Sequence, residues 1–188
     1  MNYAIYKSTR NAAWQCLIDC NVTELPVPVG SVVRHYGLKV VYNSDIDLLR
    51  DGESGRIVIH DEKAIIVVRE SELKQRLRFT VMHELGHYLL GHLGENGEMS
   101  RDEVRSEDEQ SADAFAARVL MPAVVLWKLG LQSADEIAVN CNVSKSAAAV
   151  RAERLAVLRE REKFLSHELE RQVYQQFSDF IGKNNKKS

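Results

Sequence analysis

Apolar residues recur along the first 130 residues in two patterns, short β-branched runs and longer stretches with helical spacing. Residues 38–42 form one strand candidate, and residues 56–60 and 64–68 form two more. Only three polar residues separate the last two runs, which is short enough for a hairpin. Because helical patterns surround these runs, we predict an α+β fold with a small, mostly antiparallel sheet.

Helical spacing of apolar residues predicts four helices before residue 130. Ser71 can cap the longest of them, because a serine hydroxyl accepts a hydrogen bond from the first helical turn. Gly130 marks the predicted boundary between two domains, 1–130 and 131–188. The four predicted helices cover residues 7–20, 29–36, 71–92 and 103–120.

The C-terminal segment is predicted to be helical throughout. Residues 133–140 and a helix that begins at Ser144 are joined by a tight turn, so the segment resembles a helix-turn-helix. Its predicted core residues are Ile137, Val143 and Val150. Apolar residues then recur at intervals of three, four and seven residues as far as Ile181, which predicts one long final helix. Its apolar face either packs within the chain or joins two copies into a homodimer.

Positive charge in this segment is weak. Residues 131–188 contain ten basic and eight acidic residues. The cations available on the second helix are Lys145, Arg151 and Arg154. A DNA-binding surface normally carries a clear basic excess. Structural or partner-docking use is therefore favoured over direct DNA binding, which stays the alternative.

Composition indicates an ordinary globular protein. The chain has 188 residues, 45% hydrophobic and 28% charged, with a net charge of −2. These values exclude collagen-like and fully disordered classes and a chain-wide surface for nucleic acid. Residues 1–19 do not resemble a secretory signal, and no apolar run is long enough to span a membrane. We therefore predict a cytoplasmic protein in which Cys16 and Cys20 are core thiols rather than metal ligands.

The strongest chemical signal is His83-Glu84-Leu85-Gly86-His87 in the predicted long helix. Residues four apart share a helix face, so both imidazoles can bind one Zn²⁺ ion. Glu84 is one position away and can reach a water at an open metal position without binding the ion itself. The alternative is a helix with two surface histidines.

A catalytic zinc site needs a third protein ligand. His92 is near in sequence, but on a continuing helix it points about 140° away from His87, so we expect a helix-end residue near the negative dipole. Glu109 and Asp113 are four apart on the next helix, which Ala112 allows to approach closely. Glu109 is then the third ligand, and Asp113 accepts a histidine N–H. The alternative is a solvated acidic face.

Two separated motifs resemble the ImmA/IrrE metallo-endopeptidases. The first is Arg78-Phe79-Thr80 before the histidine pair, with Tyr88-Leu89-Leu90-Gly91-His92 after it. The second is Ala112-Asp113-Ala114-Phe115-Ala116-Ala117, which ends in Leu120-Met121-Pro122. The resemblance covers about residues 25–130. Its matching positions imply that the zinc ligands are His83, His87 and Glu109, and that Glu84 is the catalytic base.

This resemblance implies a zincin-like domain of the gluzincin type, followed here by the helix-turn-helix-like extension. The implied activity is zinc-dependent hydrolysis of a peptide bond in a specific protein. The substrate is often a helix-turn-helix repressor, whose cleavage relieves transcriptional repression in mobile elements or stress responses. The leading alternative is a non-enzymatic helix-turn-helix regulator or docking module with the same fold.

Three details of the site have alternatives. Family members often carry a second Glu two residues after the ligand Glu, where this chain has Ser111, so Glu107 and Asp108 compete with Glu109. A second electrophile usually helps to hold the oxyanion. The candidates for that electrophile are Tyr36, His60 and Tyr88. The strand at 64–68 can bind substrate by β-augmentation if it is a sheet edge beside the cleft, and otherwise it is a core strand.

Overall fold

A computed structural model describes residues 2–60, 63–94 and 106–185 of the chain. They form three strands and ten helices within these ranges. In chain order these elements are α1 (Tyr3–Asp19), α2 (Val29–His35), β1 (Lys39–Tyr42), α3 (Asn43–Ile46), β2 (Gly55–His60), β3 (Lys63–Val68), α4 (Lys74–Leu89), α5 (Ser106–Leu120), α6 (Ala123–Lys128), α7 (Ala134–Cys141), α8 (Lys145–Glu160), α9 (Glu168–Gln176) and α10 (Ser178–Asn185).

The elements cluster into two compact units. The first comprises Met1–Ala12 and Val29–Ala116, and the second comprises Ala13–Pro28 and Ala117–Ser188. The sheet belongs to the first unit. The predicted division into domains 1–130 and 131–188 stays a prediction. No helix in the described part of the chain is long and apolar enough to cross a membrane.

The sheet has the strand order β1-β3-β2. The predicted hairpin is confirmed, because β2 and β3 pair antiparallel with Ile57 opposite Ile66. The prediction of a mostly antiparallel sheet is confirmed only in part, because β1 pairs with β3 in parallel, with Val40 beside Ile66. Strand β2 runs opposite to β1, and the hairpin turn reverses the chain again. Strand β3 therefore runs in the same direction as its neighbour β1. One strand pair is therefore parallel and the other antiparallel.

Both faces of the hairpin are covered at its centre, which explains why its runs are apolar at successive positions, whereas Val40 and Tyr42 of β1 are exposed. Ile57 and Ile66 are fully buried, and α4 packs against both β2 and β3. On the sheet, Val58 and Val67 form a smaller cluster with Leu49 from the segment before β2. The helix that carries the histidine pair is thereby held against the hairpin.

Helix α4 is shorter than predicted at both ends. It begins after Leu73, whose side chain makes no capping hydrogen bond, so the prediction of Ser71 as the cap is wrong. It ends at Leu89, and Gly91 follows with φ +74°. Glycine adopts this left-handed conformation readily and commonly ends helices in this way. The chain therefore turns before residue 92 and does not continue the helix.

In the second unit, α7 and α8 are joined by a short turn, as predicted. Ser133 forms a capping box with Glu136 at the start of α7, and Ser144 caps α8. Ile137 and Val143 are buried as expected, but Val150 is 62% exposed, so its placement in the core is wrong. The buried face of α8 carries Ala148, Arg151 and Leu155.

The prediction of one long final helix is also wrong. Helix α8 ends at Glu160, and Glu162 adopts a left-handed conformation with φ +49°. The stretch 159–163 contains no apolar residue, so a continued helix would have nothing to bury there. Phe164 instead stacks on Trp127 at a ring distance of 4.5 Å. The stripe resumes in α9 and α10.

The apolar stripe of these last helices packs within the second unit. Val173, Phe177 and Ile181 are buried in the single chain. The Gln176 side-chain amide also donates hydrogen bonds to the carbonyl oxygens of Leu17 and Val22 at 2.8 and 2.6 Å. These contacts give the stripe an internal packing role, and a homodimer through this face stays a prediction.

Candidate metal centre

Two histidines lie side by side on one face of α4. The Nε2 atoms of His83 and His87 are 3.0 Å apart, and their ring centroids are 4.7 Å apart. The i, i+4 spacing of the sequence produces this arrangement directly, because a helix turns once in 3.6 residues. His87 is fully buried, so its ring has no access to solvent.

Glu109 reaches this pair from α5. Its Oε2 atom lies 3.3 Å from His83 Nε2, and its Oε1 atom lies 3.4 Å from His87 Nε2. Small residues permit the approach of the two helices: a Cβ built on Gly86 would lie only 3.3 Å from the Cα of Ala112. Close packing of α4 and α5 therefore brings the carboxylate to the imidazoles.

The spacing of these donors suits one divalent metal ion. Metal–nitrogen and metal–oxygen bonds of about 2.0–2.1 Å place neighbouring tetrahedral donors about 3.3 Å apart. The closest donor separations of 3.0, 3.3 and 3.4 Å are near this value, with a different oxygen of the Glu109 carboxylate nearest to each histidine. His83, His87 and Glu109 can therefore hold an ion together, and a tetrahedral ion would keep its fourth position for another ligand.

The electrostatics of the donors reflect their mutual contacts. Burial opposes protonation of His83, but hydrogen bonds with Asp113 and Glu109 outweigh it and raise the pKa of His83 to about 10. Hydrogen bonds with His83 and His87 hold the pKa of Glu109 far below its usual range. Glu109 is consequently an anion at neutral pH, as a metal-ligating carboxylate must be.

Glu84 lies beside the histidine pair and points towards the sheet. Its side chain is buried, and its Oε2 atom accepts a hydrogen bond of 2.9 Å from the backbone N–H of Ile57 in β2. Burial raises the pKa of Glu84, while the neighbouring His83 and His87 oppose that shift. The carboxylate is thus fixed by the strand and kept more basic than a carboxylate in water.

Gly55 is the residue that lets β2 come this close to α4. A Cβ at this position would lie 2.4 Å from Cγ2 of Thr80 and 3.6 Å from Cγ of Glu84. Only a glycine fits between the strand and the helix at this distance. The hydrogen bond from Ile57 to Glu84 depends on that close approach.

The two histidines have different outer partners. Asp113 Oδ1 lies 2.8 Å from His83 Nδ1, the position expected for the carboxylate that orients a ligating histidine. His92 Nδ1 lies 3.0 Å from His87 Nδ1, a contact that the sequence analysis missed because it extended the helix to residue 92. Gly91, a typical helix C′ residue, was the signal that could have revealed it.

The structure also locates the alternatives. Glu107 Oε1 accepts a hydrogen bond from the backbone N–H of Asn2, and Asp108 lies 3.8 Å from His92. Of the three candidate carboxylates, Glu109 is the one that lies against both His83 and His87. Tyr36 packs edge-on against His35, and Tyr88 is half-buried on α4. The side chain of His60 lies outside the described residues. The oxyanion partner therefore stays open.

Of the two alternatives for the strand at 64–68, a sheet edge and a core strand, the structure confirms the core strand and excludes the edge. This strand is β3, which has β1 on one side and β2 on the other. Its backbone groups are used in pairing, so it cannot accept a substrate strand. The edge beside Glu84 is β2, because the Ile57 N–H that binds Glu84 points away from β3.

The fold and the site define a mixed α+β protein with a candidate metal centre of two histidines and one glutamate. The chain belongs to the peptidase M78 family: the family model for the IrrE N-terminal-like domain matches residues 32–153. This confirms the resemblance to ImmA/IrrE metallopeptidases, and the match extends past residue 130 through α7 into α8. No curated protein sequence is significantly similar to the chain.

Proposed function

We propose that the chain is a zinc-dependent endopeptidase with the ligands His83, His87 and Glu109. The supporting observation is that the closest donor atoms of each pair of these residues lie 3.0 to 3.4 Å apart, beside the buried carboxylate of Glu84. Two nitrogen donors and one carboxylate form a ligand set that zinc hydrolases use. When bound by these residues, a zinc ion would supply Lewis acidity, which polarises a carbonyl group and lowers the pKa of water to about 7.

The protein's own part in this reaction is proton transfer and orientation. Glu84 takes the proton from the attacking water and later gives it to the nitrogen of the leaving amine. Its Oε2 is held by the Ile57 N–H, so Oε1 is the oxygen that we assign to the proton. Asp113 keeps the proton of His83 on Nδ1, which leaves Nε2 as the ligand atom.

A substitution at Glu84 tests the catalytic assignment. Glu84→Gln keeps the shape of the side chain but removes the base, so we expect full zinc content and a loss of cleavage of about 10²–10⁴-fold. Cleavage is measured by mapping new N-termini in a cell lysate incubated with each purified variant. Glu70→Gln, the same change at an exposed carboxylate, is the matched control.

The outcomes of this experiment separate the possibilities. New N-termini that need both zinc and Glu84 support the proposal and identify the substrate. Equal cleavage by wild type and Glu84→Gln would exclude Glu84 as the base. We propose that the substrate is a helix-turn-helix transcriptional repressor in the cytoplasm, in keeping with the resemblance to ImmA/IrrE proteins. Cleavage at unrelated proteins alone would contradict this narrower assignment.

Direct DNA binding finds less support in the C-terminal helices. Arg151, one of three cations proposed for that role, is buried and donates from Nε to the carbonyl oxygen of Met121 at 2.8 Å. A second, Lys145, pairs with Asp135 at 2.8 Å. A mobility-shift assay with the full chain tests the regulator alternative, and tight sequence-selective binding would favour it.

A further inference from the structure

The buried ring of His87 uses its two nitrogens in opposite directions. Nε2 faces His83 and Glu109 at 3.0 and 3.4 Å, whereas Nδ1 faces His92 at 3.0 Å. The rings of His87 and His92 meet edge to face, with centroids 5.0 Å apart. Every nitrogen of this imidazole therefore has a side-chain neighbour within hydrogen-bond distance.

The helix end produces this contact. Gly91 turns the chain, the Gly91 N–H donates to the carbonyl oxygen of Tyr88, and the His92 N–H donates to that of His87. This pair of bonds is the Schellman arrangement, which returns the chain over the last turn of the helix. His92 is thereby anchored through its backbone beside the ring that it contacts.

The direction of the hydrogen bond follows from the chemistry of a ligating histidine. A metal takes the unprotonated nitrogen, so ligation at Nε2 leaves the proton of His87 on Nδ1. That N–H must donate, because a buried donor without a partner costs about 1–3 kcal/mol. Among the described residues, His92 Nδ1 is the acceptor that the structure places there.

The other nitrogen of His92 completes the chain of contacts. If His92 Nδ1 accepts, its proton lies on Nε2, which is 3.4 Å from Ser111 Oγ and 3.8 Å from Asp108 Oδ1. The Ser111 hydroxyl donates to the carbonyl oxygen of Asp108, so its lone pair is directed to accept from His92. Ser111 is almost fully buried, so its hydroxyl group is shielded from water.

We propose that His92 is a positioning residue that fixes the tautomer and ring orientation of His87, so that His87 Nε2 faces the metal. His83 receives this support directly from the carboxylate of Asp113, whereas His87 receives it from the neutral imidazole of His92. The inference rests on the proposed metal site but assigns a function that the three ligands and Glu84 do not require. Loss of such an outer partner typically weakens metal affinity 10–100-fold.

Competition with a zinc chelator measures the effect directly. His92→Ala removes the acceptor, and we expect zinc affinity to fall about 10–100-fold. His92→Asn places an amide oxygen near the position of Nδ1, so its affinity is expected to stay within about three-fold of wild type. His35→Ala removes an exposed histidine from the same unit and is the matched control, with unchanged affinity.

Spectroscopy on the cobalt-loaded protein adds a readout that does not depend on activity. We expect the visible absorption bands of the wild type and of His92→Asn to coincide, and those of His92→Ala to differ because the His87 ring is reoriented. Equal affinity in wild type and His92→Ala would overturn the inference but leave the metal site intact. Loss in both His92 variants would also overturn it, as expected if His92 bound the ion itself. Absence of binding by the wild type would instead refute the proposed function.

Discussion

The close approach of β2 to α4 predicts a specific defect in Gly55→Ala. The new Cβ would lie 2.4 Å from Cγ2 of Thr80, whereas carbon atoms in favourable contact lie about 3.5–4.0 Å apart. The strand must therefore move by about 1 Å or the threonine must leave its position. Overpacking of this kind costs about 1–3 kcal/mol, and the gain from replacing a strand glycine offsets about 0.5–1 kcal/mol.

We therefore expect Gly55→Ala to lower the free energy of unfolding by about 1–2 kcal/mol. Equilibrium unfolding in urea, followed by far-ultraviolet circular dichroism, measures the change. A shift of about 1 Å also stretches the 2.9 Å hydrogen bond from Ile57 to Glu84 beyond bonding range. The variant should thus lose proteolytic activity while it keeps the three metal ligands.

A second substitution tests the stated cause. Thr80→Ser removes the methyl group in the clash, and on its own it should cost about 0.8 kcal/mol for the lost methyl. In the double variant, part of the Gly55→Ala defect should disappear, although the carbonyl oxygen of Val67 at 3.2 Å keeps the rescue incomplete. Gly182→Ala in α10, where a Cβ meets nothing within 4 Å, is the control and should not destabilise. Additive effects of the two substitutions would refute the reasoning.

Three further predictions concern other parts of the chain. The pKa of His83 is raised to about 10, so protonated His83 stabilises the chelator-treated protein by a few kcal/mol below pH 6.5, and this stabilisation is lost as the pH rises through 10. A free energy of unfolding in urea that does not change with pH would contradict this. Arg151→Leu removes the hydrogen bond to Met121 and should lower the free energy of unfolding in urea by about 1–3 kcal/mol, whereas Arg154→Leu, at an exposed position, should lower it by less than about 0.5 kcal/mol. Equal losses in the two variants would contradict this prediction. Glu162→Gly should raise the free energy of unfolding by about 0.5–1 kcal/mol, whereas destabilisation would contradict left-handed strain.

Local signals in the sequence predicted much of the architecture. The β-branched runs at 56–60 and 64–68 became the hairpin, and the i, i+4 spacing of His83 and His87 brought their rings together. The third ligand, Glu109, was harder to predict, because it is 22 residues beyond His87 and the adjacent acidic residues are equally plausible ligands by spacing. The motif around Phe115 supplied the register that spacing alone did not.

Features that depend on distant contacts could not be predicted. The parallel pairing of β1 with β3 is decided by which strand of the hairpin packs beside β1, and this contact joins residues 26 positions apart, such as Lys39 and Ile65. The stacking of Phe164 on Trp127, which lies 37 residues earlier in the chain, is a second feature of this kind. The position of His92 has a local cause, because Gly91 ends the helix before residue 92.

The central claim is that His83, His87 and Glu109 hold one zinc ion. Anomalous diffraction at the zinc absorption edge, from crystals grown with one equivalent of zinc, tests it most directly. We predict a single peak within about 2.0–2.2 Å of His83 Nε2, His87 Nε2 and one carboxylate oxygen of Glu109. A peak bound elsewhere, or no peak between these three side chains, would contradict it.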